Sequence, residues 1–141
     1  MANKLFLNDR LVDAEAACVS VADSGLLHGV GLFETIRAYN GRPFRLAQHL
    51  ERMFNSAERL DLPLRHSRDE VAAAVAAVLK ANELREARLR ITVTGGAVRA
   101  ESDEPPQSTL LVTAAGQASY PASYYAEGMA VATAAARVNP A

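Results

Sequence analysis

The chain has 141 residues and a mass of 15.1 kDa, with 50% hydrophobic and 22% charged residues. That suits one ordinary domain with its own core and excludes a disordered chain. Lysine and arginine number 15 against 16 acids, a net charge of -1, which argues against a general nucleic-acid binder or a polybasic membrane module. A single cysteine, Cys18, excludes an internal disulfide and favours a reducing compartment. No apolar run approaches the roughly 20 residues that span a bilayer, and the first residues lack the apolar stretch of a signal peptide. A soluble, cytoplasmic protein is expected.

In chain order, Leu5–Leu7 and Leu11–Val12 read as strands around an Asn8-Asp9-Arg10 turn. Ala17 to Val21 is a third short strand by composition. The run from Asp23 to Gly31 carries Gly25, Gly29 and Gly31 and reads as a loop with unusual backbone angles or a close approach. Leu32 to Tyr39 alternates, with Phe33, Thr35, Arg37 and Tyr39 on one face and Leu32, Glu34, Ile36 and Ala38 on the other. Asn40-Gly41 predicts a tight turn and a return strand over residues 42–45. The stripe Leu46, Leu50, Met53, Phe54, Ala57 and Leu60 predicts an amphipathic helix ended by Asp61-Leu62-Pro63. Ser67 and Glu70 form a capping-box pattern before a second helix that stops at Asn82. Strands follow over residues 88–94 and 109–115, separated by Gly95-Gly96 and a polar loop with Pro105-Pro106. Residues 116–128 have linker character, and Gly128 to Val138 reads as a new strand with nothing after it to pair with. The chain is therefore expected to be the front part of a longer protein, unless that last strand joins the first sheet.

Metal chemistry is not signalled: His28, His49 and His66 lack ligand spacing and there is no cysteine pair. No GxSxG occurs, and the Gly29–Gly31 GxG enters a strand instead of opening a helix, the reverse of a dinucleotide fold. His49 lies at the edge of the apolar stripe, which suits a packing role. Arg45, Arg52 and Arg59 are seven apart and share one side of the helix. A solvated edge is the plain reading, and an anion site is the sharper one, because guanidinium forks suit phosphate oxygens. Arg37 and Arg90 sit mid-strand, where they are either exposed or aimed at an acidic ligand. Glu34 shares its predicted face with Leu32 and Ile36, so if buried it requires a partner.

The run DSGLLHGVGLFETIRAYNGRPFRLAQHLERMFNSAERLDLPL, with its Asp23-Ser24-Gly25, GVGLFETIR and HLERM segments, resembles the N-terminal region of class IV aminotransferases, the fold-type IV pyridoxal-phosphate enzymes. That group includes branched-chain aminotransferases, D-amino acid aminotransferases and aminodeoxychorismate lyase, and the resemblance covers nearly the whole chain. It implies an α+β class: an antiparallel sheet with two helices on one side, followed by the first strand of a second domain. The implied divisions are a small domain over 1–115, an interdomain linker over 116–127 and the start of a large domain over 128–141. It also implies a homodimer that binds pyridoxal 5'-phosphate between domains and takes an amino acid and a 2-oxo acid.

Residue by residue, Arg52 matches the arginine that holds the cofactor phosphate, Phe33 an aromatic wall of the substrate pocket, and Arg37 and Arg90 positions lining that pocket. Arg45 and Arg59 gain no such match and stay on the surface. His28 stands where tyrosine or phenylalanine is common, Val30 where aspartate is common, and Gly95 where D-amino acid enzymes carry a carboxylate-binding arginine; FET replaces the FEG of standard branched-chain members. The family's Schiff-base lysine belongs to the large domain. Neither lysine here, Lys4 or Lys80, fits its position, so no catalytic residue is assigned within these residues and the chain alone is expected to be inactive. The implied parent activity is amino transfer. A lyase that releases pyruvate from an aminated chorismate, and a non-catalytic binding or assembly domain, are the alternatives.

Overall fold

A computed structural model of the chain describes residues 3–62, 64–98, 107–117 and 120–135. Asn8, at φ 56°, closes the first hairpin between β1 (Lys4–Leu7) and β2 (Arg10–Asp13). No strand forms over 17–21. Cys18 to Val21 are exposed and Ala17 is half-buried, and their backbone joins no ladder of the sheet.

The glycine-rich run is not simply a loop. It holds a short helix, α1 (Ser24–His28), capped by Asp23, whose Oδ1 accepts from Gly25 N at 2.8 Å. A β-carbon at Gly25 would collide with the Thr94 side chain, and Gly29 ends the helix at φ 69°. These two glycines let the helix press against the sheet and then turn sharply into it.

β3 (Gly31–Tyr39) alternates as its pattern predicts, with Glu34, Ile36 and Ala38 buried and Phe33, Thr35 and Tyr39 exposed. Asn40 and Gly41, both at positive φ, turn it into β4, which is only Arg42–Pro43. The amphipathic stripe becomes α2 (Leu46–Arg59), which buries Leu50, Met53 and Ala57; Leu60 instead lies 63% exposed, just past the helix end. α3 (Arg68–Ala81) begins at the Ser67–Glu70 capping box and stops at Asn82, whose side chain bonds both backbone groups of Lys4. β5 (Ala87–Thr94) and β6 (Thr109–Gly116) complete an entirely antiparallel sheet in the order β2-β1-β6-β5-β3-β4.

Both long helices lie on one face of this sheet, α2 over β3 and α3 over β1, β6 and β5. Ile36, Leu89, Ile91, Leu110 and Val112 meet Met53, Val71, Val75 and Val78 there, each at most 2% exposed. The α+β expectation of an antiparallel sheet with two helices on one side is met. The opposite face is open. After Gly116 the chain forms only α4 (Ala122–Ala126), and residues 128–135 are exposed without strand structure. The predicted strand over 128–138 therefore does not form in its described part, where the backbone pairs with no strand of the sheet; residues 136–138 lie outside the described residues, as do Pro63 and Pro105-Pro106.

Candidate functional site

Glu34 points into the helix face, only 4% exposed. A carboxylate in that position costs several kcal/mol unless charged partners meet it, and α2 supplies them. Arg52 Nε donates to Oε1 at 2.7 Å and Arg52 Nη2 donates to Oε2. His49 Nδ1 lies 2.8 Å from Oε2, and only a protonated nitrogen can bond an ionised carboxylate there. The spacing explains how one helix delivers both groups: His49 and Arg52 are three apart and face the same neighbour. The Arg52 hydrogen bond holds the Glu34 carboxyl below its usual value of 4.5, with help from His49 and against the opposing effect of burial. The same contact raises the Arg52 guanidinium above its usual value.

Arg52 is nevertheless 68% exposed along its side chain. Of the five N–H bonds of a guanidinium, two are fixed by Glu34. The remaining three lie on a group locked in orientation and open to solvent. That is the form an anion site takes: a rigid fork with a free donor edge. The residues present therefore fit a phosphate. Arg45, held at φ 52° ahead of α2 with its guanidinium 5.4 Å from the Phe44 ring, and Arg59 are exposed and take no part.

Three of the other predicted site residues, Phe33, Arg37 and Arg90, lie on the open face. Register sets Phe33 opposite Thr92, Thr35 opposite Arg90 and Arg37 opposite Arg88. The Arg90 guanidinium sits 3.8 Å from the Phe33 ring centroid, so these two form one unit. Arg37 is drawn toward the end of the sheet, where Nη2 donates to the Gln117 carbonyl at 3.1 Å and to Glu86 at 3.4 Å. His28 ends α1 and is exposed, at the opposite end of β3 from Arg37. Thus Phe33 and Arg90 meet, Arg37 lies farther along their face, and Arg52 approaches from the helix side.

Two residues of this arrangement escaped sequence reasoning. Glu34 appears there only as a charge that breaks an apolar face, and that conflict was its signal. His49, assigned to packing, bonds Glu34 instead, and nothing in its spacing reveals this without knowing that α2 docks over β3. Asp23 is a second buried carboxylate, 1% exposed, whose Oδ2 accepts from both Thr94 Oγ1 and Thr109 Oγ1 at 2.8 Å. It fastens α1 to the ends of β5 and β6.

A comparison with protein families matches residues 31–141 to amino-transferase class IV. A putative branched-chain-amino-acid aminotransferase of Methanocaldococcus jannaschii is 43% identical over 93 residues, covering 66% of this chain and 32% of that protein. A D-alanine aminotransferase of Staphylococcus epidermidis is 35% identical over 121 residues, covering 86% and 43%. Among solved structures, a branched-chain aminotransferase from the thermophilic archaeon Thermoproteus uzoniensis, crystallised with norvaline, superposes with a TM-score of 0.72 at 30% identity, covering 82% of this chain and 41% of that one. The chain thus spans less than half the length of each of these relatives. Its open-faced antiparallel sheet, the HLERM arginine locked by a buried glutamate and the match over residues 31–141 lead to one assignment: the chain belongs to the class IV amino-transferase family.

Proposed function

We propose that this chain forms the small-domain wall of a pyridoxal-phosphate-dependent aminotransferase that moves an amino group between an amino acid and a 2-oxo acid. The observation that carries the reading is the Glu34-locked Arg52 with its outer donor edge free. Arg52 would hold the cofactor phosphate, and Glu34 and His49 would keep it aimed without consuming those donors. When bound, the cofactor supplies an electron-accepting ring that permits the amino group to leave one carbon and join another. Phe33 and the Arg90 guanidinium stacked over its ring offer a cation beside an apolar surface, suited to a substrate bearing both an apolar body and a carboxylate.

The lysine such chemistry needs does not come from these residues. Lys4 pairs with Asp13 at the far flank of the sheet, and Lys80 ends α3, which packs over β1, β6 and β5 and not over β3. In this reading residues 1–115 are the small domain, 116–127 the linker and 128–141 the start of a large domain that brings the lysine. The protein works as a homodimer in the cytoplasm, and among the described residues no helix is long and apolar enough to cross a membrane.

The test is Arg52→Ala in the enzyme purified with its cofactor. Retention of the cofactor on dialysis should weaken by about tenfold or more, with an unchanged far-ultraviolet circular dichroism spectrum, and Arg52→Lys should restore part of it as a point charge without the fork. Unchanged retention would remove Arg52 from the site. Pyruvate release from an aminated chorismate, with no amino transfer to a 2-oxo acid, would move the protein to the lyase branch.

A further inference from the structure

The Asn40-Gly41 turn carries reactive chemistry besides shaping its hairpin. Of the six asparagines in the sequence, Asn40 alone precedes a glycine. A glycine nitrogen has no β-carbon beside it, so it can approach the neighbouring carboxamide carbon closely. Asn8, Asn55 and Asn82 are followed by Asp9, Ser56 and Glu83, whose side chains crowd that approach, and Asn139 by a proline without an N–H. Asn40 and Gly41 are both exposed, at φ 50° and 75°, so solvent reaches the pair. Three bonds hold it to the segment that enters β5. Gly41 N donates to the Arg85 carbonyl at 2.8 Å, Asn40 N donates to Glu86 Oε1 at 2.9 Å, and Arg85 Nη2 donates to Asn40 Oδ1 at 3.3 Å. The turn is only two residues long, closed by the pairs Tyr39–Arg42 and Ala38–Pro43, which leaves Asn40 little room to rotate while those bonds hold. The Gly41 bond matters most. Its nitrogen must lose a proton before it can attack, and the Arg85 carbonyl keeps that proton from solvent base.

We infer that Asn40 is a site of spontaneous deamidation, latched by Arg85 and Glu86 and released when the turn opens. On opening, solvent base takes the Gly41 amide proton and the nitrogen bonds to Asn40 Cγ. The Cγ–Nδ2 bond breaks, and the side-chain nitrogen takes a proton from solvent and leaves as ammonia. One water then adds to either carbonyl of the resulting five-membered imide and gives aspartate or isoaspartate. No other reactant is needed. Isoaspartate puts an extra carbon into the backbone between positions 40 and 41, so a two-residue turn no longer closes. Either product adds a carboxylate beside Glu86, the residue that accepts from Asn40 N, and like charges at that distance repel. The pairing of β3 with β4 then weakens, leaving the bond from Phe44 N to the Arg37 carbonyl, 2.8 Å, to hold the chain leading into α2. The inference stands on this turn alone and does not depend on Arg52 gripping a phosphate.

The experiment ages the purified protein in mildly alkaline buffer, folded and in guanidinium chloride. Conversion at each asparagine is followed by peptide mass mapping that separates aspartate from isoaspartate. Exchange of the Gly41 amide is measured in the same buffer by NMR. Asn40 should convert ahead of every other asparagine, and more slowly in the folded chain by about tenfold or more. Deamidation and exchange require the same opening, so the ratio of unfolded to folded conversion rates should match the Gly41 protection factor within about threefold. Glu86→Ala removes the acceptor of Asn40 N and should speed folded-state conversion by about fivefold, with no change in denaturant. Glu86→Gln retains an acceptor oxygen and should change the rate by less. Earlier conversion of another asparagine, no conversion of Asn40 in denaturant, equal rates in the two states, a rate ratio that departs from the Gly41 protection, or a folded Glu86→Ala chain no faster than wild type would each overturn the inference. If Glu86→Ala fails to fold, the wild-type match between conversion and exchange decides alone.

Discussion

Replacing Glu34 by glutamine keeps the shape of the buried group and removes its charge. In the native chain the two carboxylate oxygens accept from Arg52 Nε, Arg52 Nη2 and His49. A glutamine has one oxygen. Whichever way its amide turns, an NH2 group faces an Arg52 donor. Hydrogen bonds to charged groups contribute about 1.5–3 kcal/mol each, and a buried donor left unmatched costs a similar amount. Because the remaining oxygen keeps part of the network, the net loss should be about 2 kcal/mol. For a domain of this size that is a fall in Tm of about 6–8 °C.

The loss should also depend on pH in a defined sense. Arg52 holds the folded Glu34 pKa below 4.5, so the glutamate's contribution is complete above 4.5 and disappears as pH falls through the folded value. Glutamine has no such dependence. The stability gap between wild type and Glu34→Gln should be widest near neutrality and should close in acid. Urea unfolding at a series of pH values measures it through the midpoint, with the slope unchanged. Equal midpoints near neutrality, or a gap that persists well below pH 4.5, would refute the claim that an ionised Glu34 organises this cluster.

Three further expectations follow from other parts of the fold. Asp23→Ala removes the acceptor of Gly25 N, Thr94 Oγ1 and Thr109 Oγ1; it should cost about 2–4 kcal/mol in denaturant unfolding, with hydrogen exchange rising first in α1. Gly96→Ala places a β-carbon on the Gln107 carbonyl at a backbone φ of 78°, and should lower stability by about 2 kcal/mol or more in the same assay. Ser67→Ala breaks the capping box of α3 and should cost about 1 kcal/mol; a second substitution at Glu70 should then add little, and full additivity would show the two residues uncoupled.

The sequence made long-period features legible and partner-dependent ones obscure. The stripe of α2 and the capping box of α3 are local, because neighbouring turns of one helix specify them. The two faces of β3 were equally plain, down to the misplaced glutamate. What could not be read was the answer to that glutamate, since His49 and Arg52 reach it only after the chain has turned at Asn40-Gly41 and α2 has docked. α1 was hidden by its glycines, which signal a loop in isolation and a close approach in place. The strands expected over 17–21 and 128–138 had suitable composition, yet a strand exists only where another edge accepts it. Among the site positions, Arg52 stood out through family resemblance, whereas its polar-face location alone suggested an idle charge.

The brevity of β4 has a consequence beyond the hairpin. It covers only Ala38 and Tyr39, so among the described residues most of β3 has no strand paired on its outer side, the kind of edge that a strand from another molecule can join. Arg52 reaches Glu34 on this outermost long strand from α2 with its side chain 68% exposed, and charged side chains beside a strand edge deter edge-to-edge association. Variants that lose the side chain proposed to hold an anion also remove a charge from beside this edge, and their solubility should be followed even when they fold.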